Sequence, residues 1–246
     1  MEEKALSEIK KLVKEAKRIV FLGGAGVSTG SGLLDFRSPQ GLYNLRSKYG
    51  RPYEEMLSHR FFEEDPATFY DFYWSTMVSF SAKPNPAHLA LARFEERHPN
   101  KLTVITQNID GLHQKAGSKR VLEVHGSTSS YSCPNCGKRF SLDEIPHRGI
   151  PRCPCGGVLK PDVVLYGEPL DEDVLLSAVN ATRFANLLII AGTSLTVQPI
   201  ASLPSYFSGG KIIMINAEPT SFDEMCDYLI RDDVAKTLPQ ILEESL

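Results

Sequence analysis

Four cysteines stand in two tight pairs, Cys133-Pro-Asn-Cys136 and Cys153-Pro-Cys155. Each pair puts two thiolates on one turn, and two such turns supply the four soft ligands of a tetrahedral zinc site. With every position filled by sulfur, none is left for water, so the metal would be structural and not catalytic. Two disulfides are the competing reading, and a chain with clustered cysteines and one outlier, Cys226, does not look like a secreted disulfide scaffold.

A second set of residues suits a dinucleotide. Gly23-Gly24-Ala25-Gly26-Val27-Ser28-Thr29-Gly30 follows a short apolar run, where backbone without side chains can approach a pyrophosphate. The spacing departs from the usual fingerprint, because the third glycine comes one place late and no acid follows about 20 residues on to hold an adenosine ribose. Asp35-Phe36-Arg37 then brings an acid, an aromatic ring and a guanidinium suited to phosphate. Thr106-Gln107-Asn108-Ile109-Asp110-Gly111-Leu112-His113 and Glu123-Val124-His125-Gly126 place further polar groups at the ends of two more apolar runs.

Those runs define the elements that must position the chemistry. Residues 18–22, 102–106, 121–124, 163–166, 187–191 and 211–215 are predicted to be buried parallel strands. Helical patterns at 87–97, 173–183, 222–229 and 234–242 lie between or after them, and Met1 to Lys17 carries an amphipathic stripe. Strands alternating with helices predict a doubly wound α/β sheet whose ligand crevice lies at the carboxyl ends of the strands. Two stretches break the rhythm. Pro39 to Phe80 is rich in aromatics and predicts a helical subdomain with its own small core, and Ser132 to Lys160 has too few large apolar residues to fold without a metal.

Composition bounds the function. The 246 residues are 42% hydrophobic and 23% charged with a formal net charge of −3, which fits a globular chain and gives no overall basic field for nucleic acid or anionic lipid. The longest apolar runs are far short of the roughly 20 residues that span a bilayer, and the amphipathic start is unlike a signal peptide, so a cytoplasmic protein is expected.

In their order along the chain, Gly24-Ala-Gly26-x-Ser28, Asp35-Phe36-Arg37, Thr106 to Asp110, His125-Gly126, the four cysteines, Val163-Val164-Leu165-Tyr166-Gly167-Glu168, Gly192-Thr193-Ser194 and Asn216 resemble the sirtuins, NAD-dependent protein deacylases. The resemblance runs from Phe21 to about Asn216. It implies a Rossmann-like doubly wound parallel sheet formed by residues 1–38, 81–126 and 161–246, with a smaller domain made of a helical module at 39–80 and a zinc-ribbon module at 127–160. It implies NAD as co-substrate, one structural zinc on Cys133, Cys136, Cys153 and Cys155, and acetyl-lysine proteins or peptides as partners. It fixes no oligomeric state.

Residue by residue, the resemblance implies that Gly24, Ala25, Gly26, Thr29, Asp35, Phe36 and Arg37 line the NAD loop, with Arg37 near the phosphates. Gln107, Asn108, Ile109 and Asp110 would hold the nicotinamide ribose and carboxamide; Gly192, Thr193, Ser194 and Asn216 would hold the adenosine half. His125 would be the general base and Asn108 the second catalytic residue. Val164 and Val197 would flank an acyl-lysine tunnel, with the peptide backbone caught between Val163 to Gly167 and Leu195 to Gln198. The implied reaction releases nicotinamide, passes the acetyl group to ADP-ribose and frees the lysine; an imidazole with an ordinary pKa of about 6.5 can serve as its base near neutrality.

Two departures matter. Leu33-Leu34-Asp35 stands where many members have a proline before the acid, which predicts a more mobile loop. Members that prefer acidic acyl groups carry Tyr-x-x-Arg where this chain has Tyr70-Asp71-Phe72-Tyr73, so a neutral acyl group, acetyl first, is expected. Competing functions are a nucleic-acid-binding zinc ribbon, suggested by five cations against two acids over residues 133–160, a nicotinamide oxidoreductase, and protein ADP-ribosyl transfer from the same NAD site. The first leaves Asn108, Asp110 and His125 without work, and the second lacks its ribose acid.

Overall fold

The structure is a computed structural model that describes residues 3–35 and 49–243. Its chain order is α1 (Glu3–Glu15), β1 (Ile19–Gly23), α2 (Tyr53–Met56), α3 (His59–Glu64), α4 (Pro66–Phe72), α5 (Pro86–Arg97), β2 (Leu102–Thr106), α6 (Leu112–Ala116), β3 (Val121–Glu123), β4 (Gly126–Ser132), β5 (Arg139–Ser141), β6 (Lys160–Val163), α7 (Glu172–Arg183), β7 (Leu187–Ala191), β8 (Lys211–Ile215), β9 (Tyr228–Ile230) and α8 (Val234–Leu242).

Six strands form a parallel sheet in the order β3-β2-β1-β7-β8-β9. β1 and β7 are buried along their whole length, which is why both read as unbroken apolar runs. One face packs against α1, α5 and α8 through Ile9, Val13, Leu91, Phe94, Leu238 and Ile241. The other face packs against α7 and the 3₁₀ segment Ile200–Tyr206 through Ala178, Ile200 and Leu203. From β1 the chain builds outward to β2 and β3 on one side and later to β7, β8 and β9 on the other. The carboxyl ends of β1 and β7 therefore flank the point where strand order reverses, the position at which doubly wound sheets open a ligand crevice.

Two predicted elements differ. Residues 163–166 do not join the parallel sheet: β6 ends at Val163 and pairs antiparallel with β4 in a separate sheet of order β5-β4-β6. A short apolar run does not reveal its sheet partner, and Gly126 is what lets β6 approach, since a side chain there would put its Cβ 1.9 Å from the Asp162 carbonyl oxygen. Residues 222–229 form no long helix. Asp223 accepts from the Thr220 amide and Asp227 from the Ile212 amide, which interrupts the helical pattern and frees Tyr228–Ile230 to pair with β8. Cys226 accordingly sits on the turn before β9, and burial raises its thiol to about 11.

The aromatic segment does not close on a core of its own. Phe62, Phe69, Tyr70, Phe72 and Tyr73 pack with Tyr131, Cys133, Cys153 and Leu159 from the cysteine-bearing region in one cluster. Tyr73 stacks on Phe69 at 5.6 Å between ring centroids, and the Tyr70 hydroxyl donates to the Leu159 carbonyl. Two segments too poor or too short to fold alone thus complete each other's core.

Candidate active site

A cleft of about 1480 Å³ runs along the carboxyl ends of the sheet and on between the sheet and the aromatic cluster. Its floor is the meeting of two glycine turns. The Gly24 and Gly26 amides donate to the Ala191 and Gly192 carbonyls at 3.2 and 2.8 Å. A Cβ on Gly26 would lie 2.8 Å from Gly192 Cα; one on Gly192, whose φ is +57°, would lie 2.5 Å from the Val27 amide nitrogen. The glycines let two backbone turns lie against each other, and Ala25 and Gly26 line the cleft from that platform.

Thr29, Asp35, Thr193, Ser194 and Asn216 also line the cleft. Thr29 donates to the Gly26 carbonyl, Ser194 shares a hydrogen bond with Thr196, and Asn216 donates to the Glu218 carbonyl, fixing the loop after β8. Phe36 and Arg37 lie outside the described residues.

The turn after β2 is bound into this floor. The Gln107 amide donates to Gly23, and Gln107 Oε1 accepts from the Thr193 hydroxyl at 3.0 Å. Asn108 donates to the Gly24 carbonyl and to Ser28 Oγ at 3.1 and 3.0 Å. Ser28 in turn donates to Asp110 Oδ2 at 2.7 Å, and Asp110 Oδ1 caps the start of α6 at Leu112. The Ile109 carbonyl accepts from both the amide and the hydroxyl of Thr128. The side chains of Gln107, Asn108 and Asp110 and the backbone of Ile109 are thereby held at the cleft by backbone and neighbouring polar groups.

His125 stands in the turn between β3 and β4. Its Nδ1 lies 3.0 Å from the Gln107 carbonyl oxygen, an acceptor only, so Nδ1 carries the proton and Nε2 is left as a free acceptor. Burial holds the imidazole below its ordinary pKa, opposed by that hydrogen bond. The His125 carbonyl accepts from the Val164 amide at 2.9 Å, which ties it to the segment Val163 to Gly167. Val163, Val164, Leu165, Tyr166, Gly167 and Val197 all line the cleft.

The four cysteines meet in one cluster with all sulfurs within 4.8 Å of one another. Cys133 and Cys155 sulfurs are 3.5 Å apart, Cys136 and Cys153 sulfurs 3.6 Å, too far for disulfides and close to the spacing of about 3.8 Å that four zinc–sulfur bonds of about 2.3 Å impose. The residues therefore fit a closed structural zinc. They fit a dinucleotide as well, since the buried Gln107 Nε2 has no hydrogen-bond partner and sits at the cleft wall.

Several further polar groups surround this floor. His88 accepts the Asn85 amide on Nδ1, and its Nε2 comes within 3.5 Å of Ser28 Oγ, behind Asp110. Pro84-Asn85-Pro86-x-His88 was the available signal, a helix cap whose third residue is a histidine rather than an acid. His113 lies against His88 with ring centroids 4.7 Å apart, and neither of its ring nitrogens has a partner. Glu218, Asp232 and Asp233 line the cleft with Asn216.

A parallel sheet with a nucleotide crevice at its switch point, joined to a four-thiolate module and carrying a tautomer-fixed histidine, defines a Rossmann-type enzyme class with a structural metal. The Sir2 family model matches residues 24–199, and the chain belongs to that family. It is 47% identical to an NAD-dependent protein deacetylase of Clostridium acetobutylicum over 240 residues, 96% of this chain and 98% of that one. It is 46% identical to one of Cutibacterium acnes over 230 residues, 93% and 94% of the two chains. Among solved structures, a Sir2 homologue in complex with ADP ribose matches with a TM-score of 0.88 at 38% identity, covering 98% of this chain and 95% of the other. A Sir2–p53 peptide–NAD+ complex matches at 0.83 and 35% identity, covering 96% and 97%.

Proposed function

We propose that this chain is an NAD-dependent protein-lysine deacetylase that transfers the acetyl group of acetyl-lysine to ADP-ribose, with release of nicotinamide, O-acetyl-ADP-ribose and free lysine. The observation that carries the assignment of roles is the His125 ring, held by Gln107 with its basic nitrogen free on the wall of a cleft that also contains Asn108 and Asp110.

NAD, when bound, supplies the ribose carbon that receives the acetyl oxygen and the nicotinamide that leaves. Gly24, Ala25, Gly26, Thr29 and Asp35 form the phosphate side of its site; Gly192, Thr193, Ser194 and Asn216 form the adenosine side, with Glu218 added. Asp110 and the Ile109 backbone grip the carboxamide, Gln107 offers its unpartnered amide, and Asn108 orients the ribose. His125 is the general base: Nε2 accepts the proton of a ribose hydroxyl, and burial keeps it neutral and able to do so at neutral pH. Ser28 and His88 act behind Asp110 by fixing its carboxylate.

Val163 to Gly167 and Leu195 to Gln198 receive the peptide backbone, with Val164 and Val197 beside the acyl-lysine. Among the described residues that line the cleft there is no lysine or arginine, which supports a neutral acyl group. Acetylated proteins are the partners and one structural zinc is bound by Cys133, Cys136, Cys153 and Cys155. The same reading divides the chain into the NAD-binding body at 1–38, 81–126 and 161–246, the helical module at 39–80 and the zinc module at 127–160. It sets the protein in the cytoplasm; among the described residues no helix is long and apolar enough to cross a membrane. The test is single turnover with acetylated peptide and NAD, followed by separation of O-acetyl-ADP-ribose from ADP-ribosylated protein, the product of the rival transferase.

A further inference from the structure

The segment that receives the peptide is itself held by a charge network that the proposed chemistry does not use. Glu168 closes the turn after Gly167, and its two oxygens reach three elements. Oε2 accepts the Leu165 amide at 2.8 Å and pairs with Lys160 Nζ at 3.0 Å; Oε1 lies 2.7 Å from His59 Nδ1. The Lys160 and Glu168 side chains are 19% and 16% exposed, so water screens this pair only in part.

Lys160 at the start of β6 also donates to the Pro161 and Val163 carbonyls at 3.0 and 2.9 Å, so its three ammonium protons all have acceptors within the turn. His59 begins α3. Its amide donates to the Tyr166 carbonyl at 3.0 Å while the Tyr166 amide donates to the Leu57 carbonyl at 2.9 Å, a one-residue parallel bridge between Ser58 and Tyr166. At the other end the Val164 amide is bound to the His125 carbonyl. The segment is thus fixed from the sheet by His125, from the zinc side by Lys160 and from the helical side by His59, and the Glu168 side chain joins the last two.

Extended backbone recognises extended backbone more tightly when its amides and carbonyls are held in register beforehand, because ordering them on binding would subtract from affinity. We propose that Glu168 is a positioning residue for the acylated peptide: paired with Lys160 and His59, it holds Val163 to Gly167 in the geometry that captures the peptide backbone. The proposal rests on the deacetylase reading. Among the described residues Glu168 makes no hydrogen bond or ion pair with the glycine turns or the Gln107 to Asp110 turn, so its action falls on peptide binding and not on NAD.

The test measures steady-state kinetics and direct binding of a fluorescent acetyl-lysine peptide in the presence of ADP-ribose, for the wild type, Glu168→Ala, Glu168→Gln and His59→Phe. Glu168→Ala is expected to raise the peptide KM and Kd about tenfold while kcat and the NAD KM stay within about twofold. Glu168→Gln, which can still accept the Leu165 amide, recovers part of that loss. His59→Phe keeps its backbone bond to Tyr166 and a half-exposed ring; it gives a smaller rise, and none further in the Glu168→Ala background, because the two side chains act as one unit. Unchanged peptide KM in Glu168→Ala, or an equal loss in peptide affinity, NAD affinity and kcat, would overturn the proposal. If Glu168→Ala does not fold, additive or absent effects of His59→Phe and Glu168→Gln overturn it in the same way. A wild type that binds ADP-ribose but no acetylated peptide would instead overturn the deacetylase reading, and the proposal with it.

Discussion

His125 Nδ1 and the Gln107 carbonyl oxygen lie 3.0 Å apart, and this one contact joins the proposed base to the turn that carries the proposed nicotinamide site. It fixes the tautomer, and burial depresses the pKa of the ring. Proton abstraction needs the neutral form, so kcat/KM for peptide should be flat through neutrality and fall only on the acid side, below the ordinary histidine value of about 6.5. His125→Ala should lower kcat by about 10²- to 10⁴-fold while ADP-ribose still binds. A pH profile measured by nicotinamide release checks the first, and calorimetry with ADP-ribose the second.

The thiolate cluster shares its core with the helices at 53–72, so the metal should stabilise more than its own turns. Removing zinc with a chelator, or changing Cys133→Ser, should lower the melting temperature and loosen the aromatic cluster, seen as loss of near-ultraviolet circular dichroism from Trp74 and its neighbours. Elemental analysis should return one zinc per chain. A chelated protein with unchanged melting would refute a structural role.

Acyl preference follows from the cleft lining. Tyr70 and Tyr73 are fully buried in the aromatic cluster, and the described residues that line the cleft include no lysine or arginine, so no cation is at hand to pair with an acyl carboxylate. Succinyl-lysine peptide should be turned over at least about tenfold more slowly than acetyl-lysine peptide, the cost of an unpaired carboxylate in the cleft. Equal rates on the two peptides contradict this.

Stability in mild acid should be set by histidines. Burial lowers His113 to about 3, with the neighbouring His88 adding to the effect, and burial also lowers His88 and His125. The unfolded chain binds these protons at about 6.5, so stability is fully present above that pH and is lost as pH falls below it. His113→Phe, which keeps a ring against Phe21 and His88, should reduce the drop in melting temperature between pH 7 and pH 5. An unchanged drop would assign acid sensitivity to other groups.

The parallel sheet and the cysteine cluster were legible because each is written locally: a central strand shows as an unbroken apolar run, and a tetrathiolate site as two close pairs. Gln107 to Asp110 and His125 were legible because they follow such runs at the edge where crevices open. Less legible was whatever depends on a distant partner. The apolar run at 163–166 gave no sign that β6 pairs antiparallel with β4 through Gly126. Asp223 and Asp227 turned an apparent helix into a turn and an edge strand by accepting from backbone amides. His88 looked like one more helical residue, and only the fold sets it behind Ser28. Nor could the sequence show why the first turn needs glycine at Gly26, which faces Gly192 across a contact between residues far apart in sequence.

The most direct test is mass spectrometry of an acetyl-lysine peptide incubated with the protein, with and without NAD, with nicotinamide and O-acetyl-ADP-ribose measured in the same reaction. Loss of the acetyl group only when NAD is present, with one nicotinamide and one O-acetyl-ADP-ribose formed for each peptide changed, is the predicted result. Consumption of NAD with the peptide still acetylated, or label from NAD retained on protein, would contradict it.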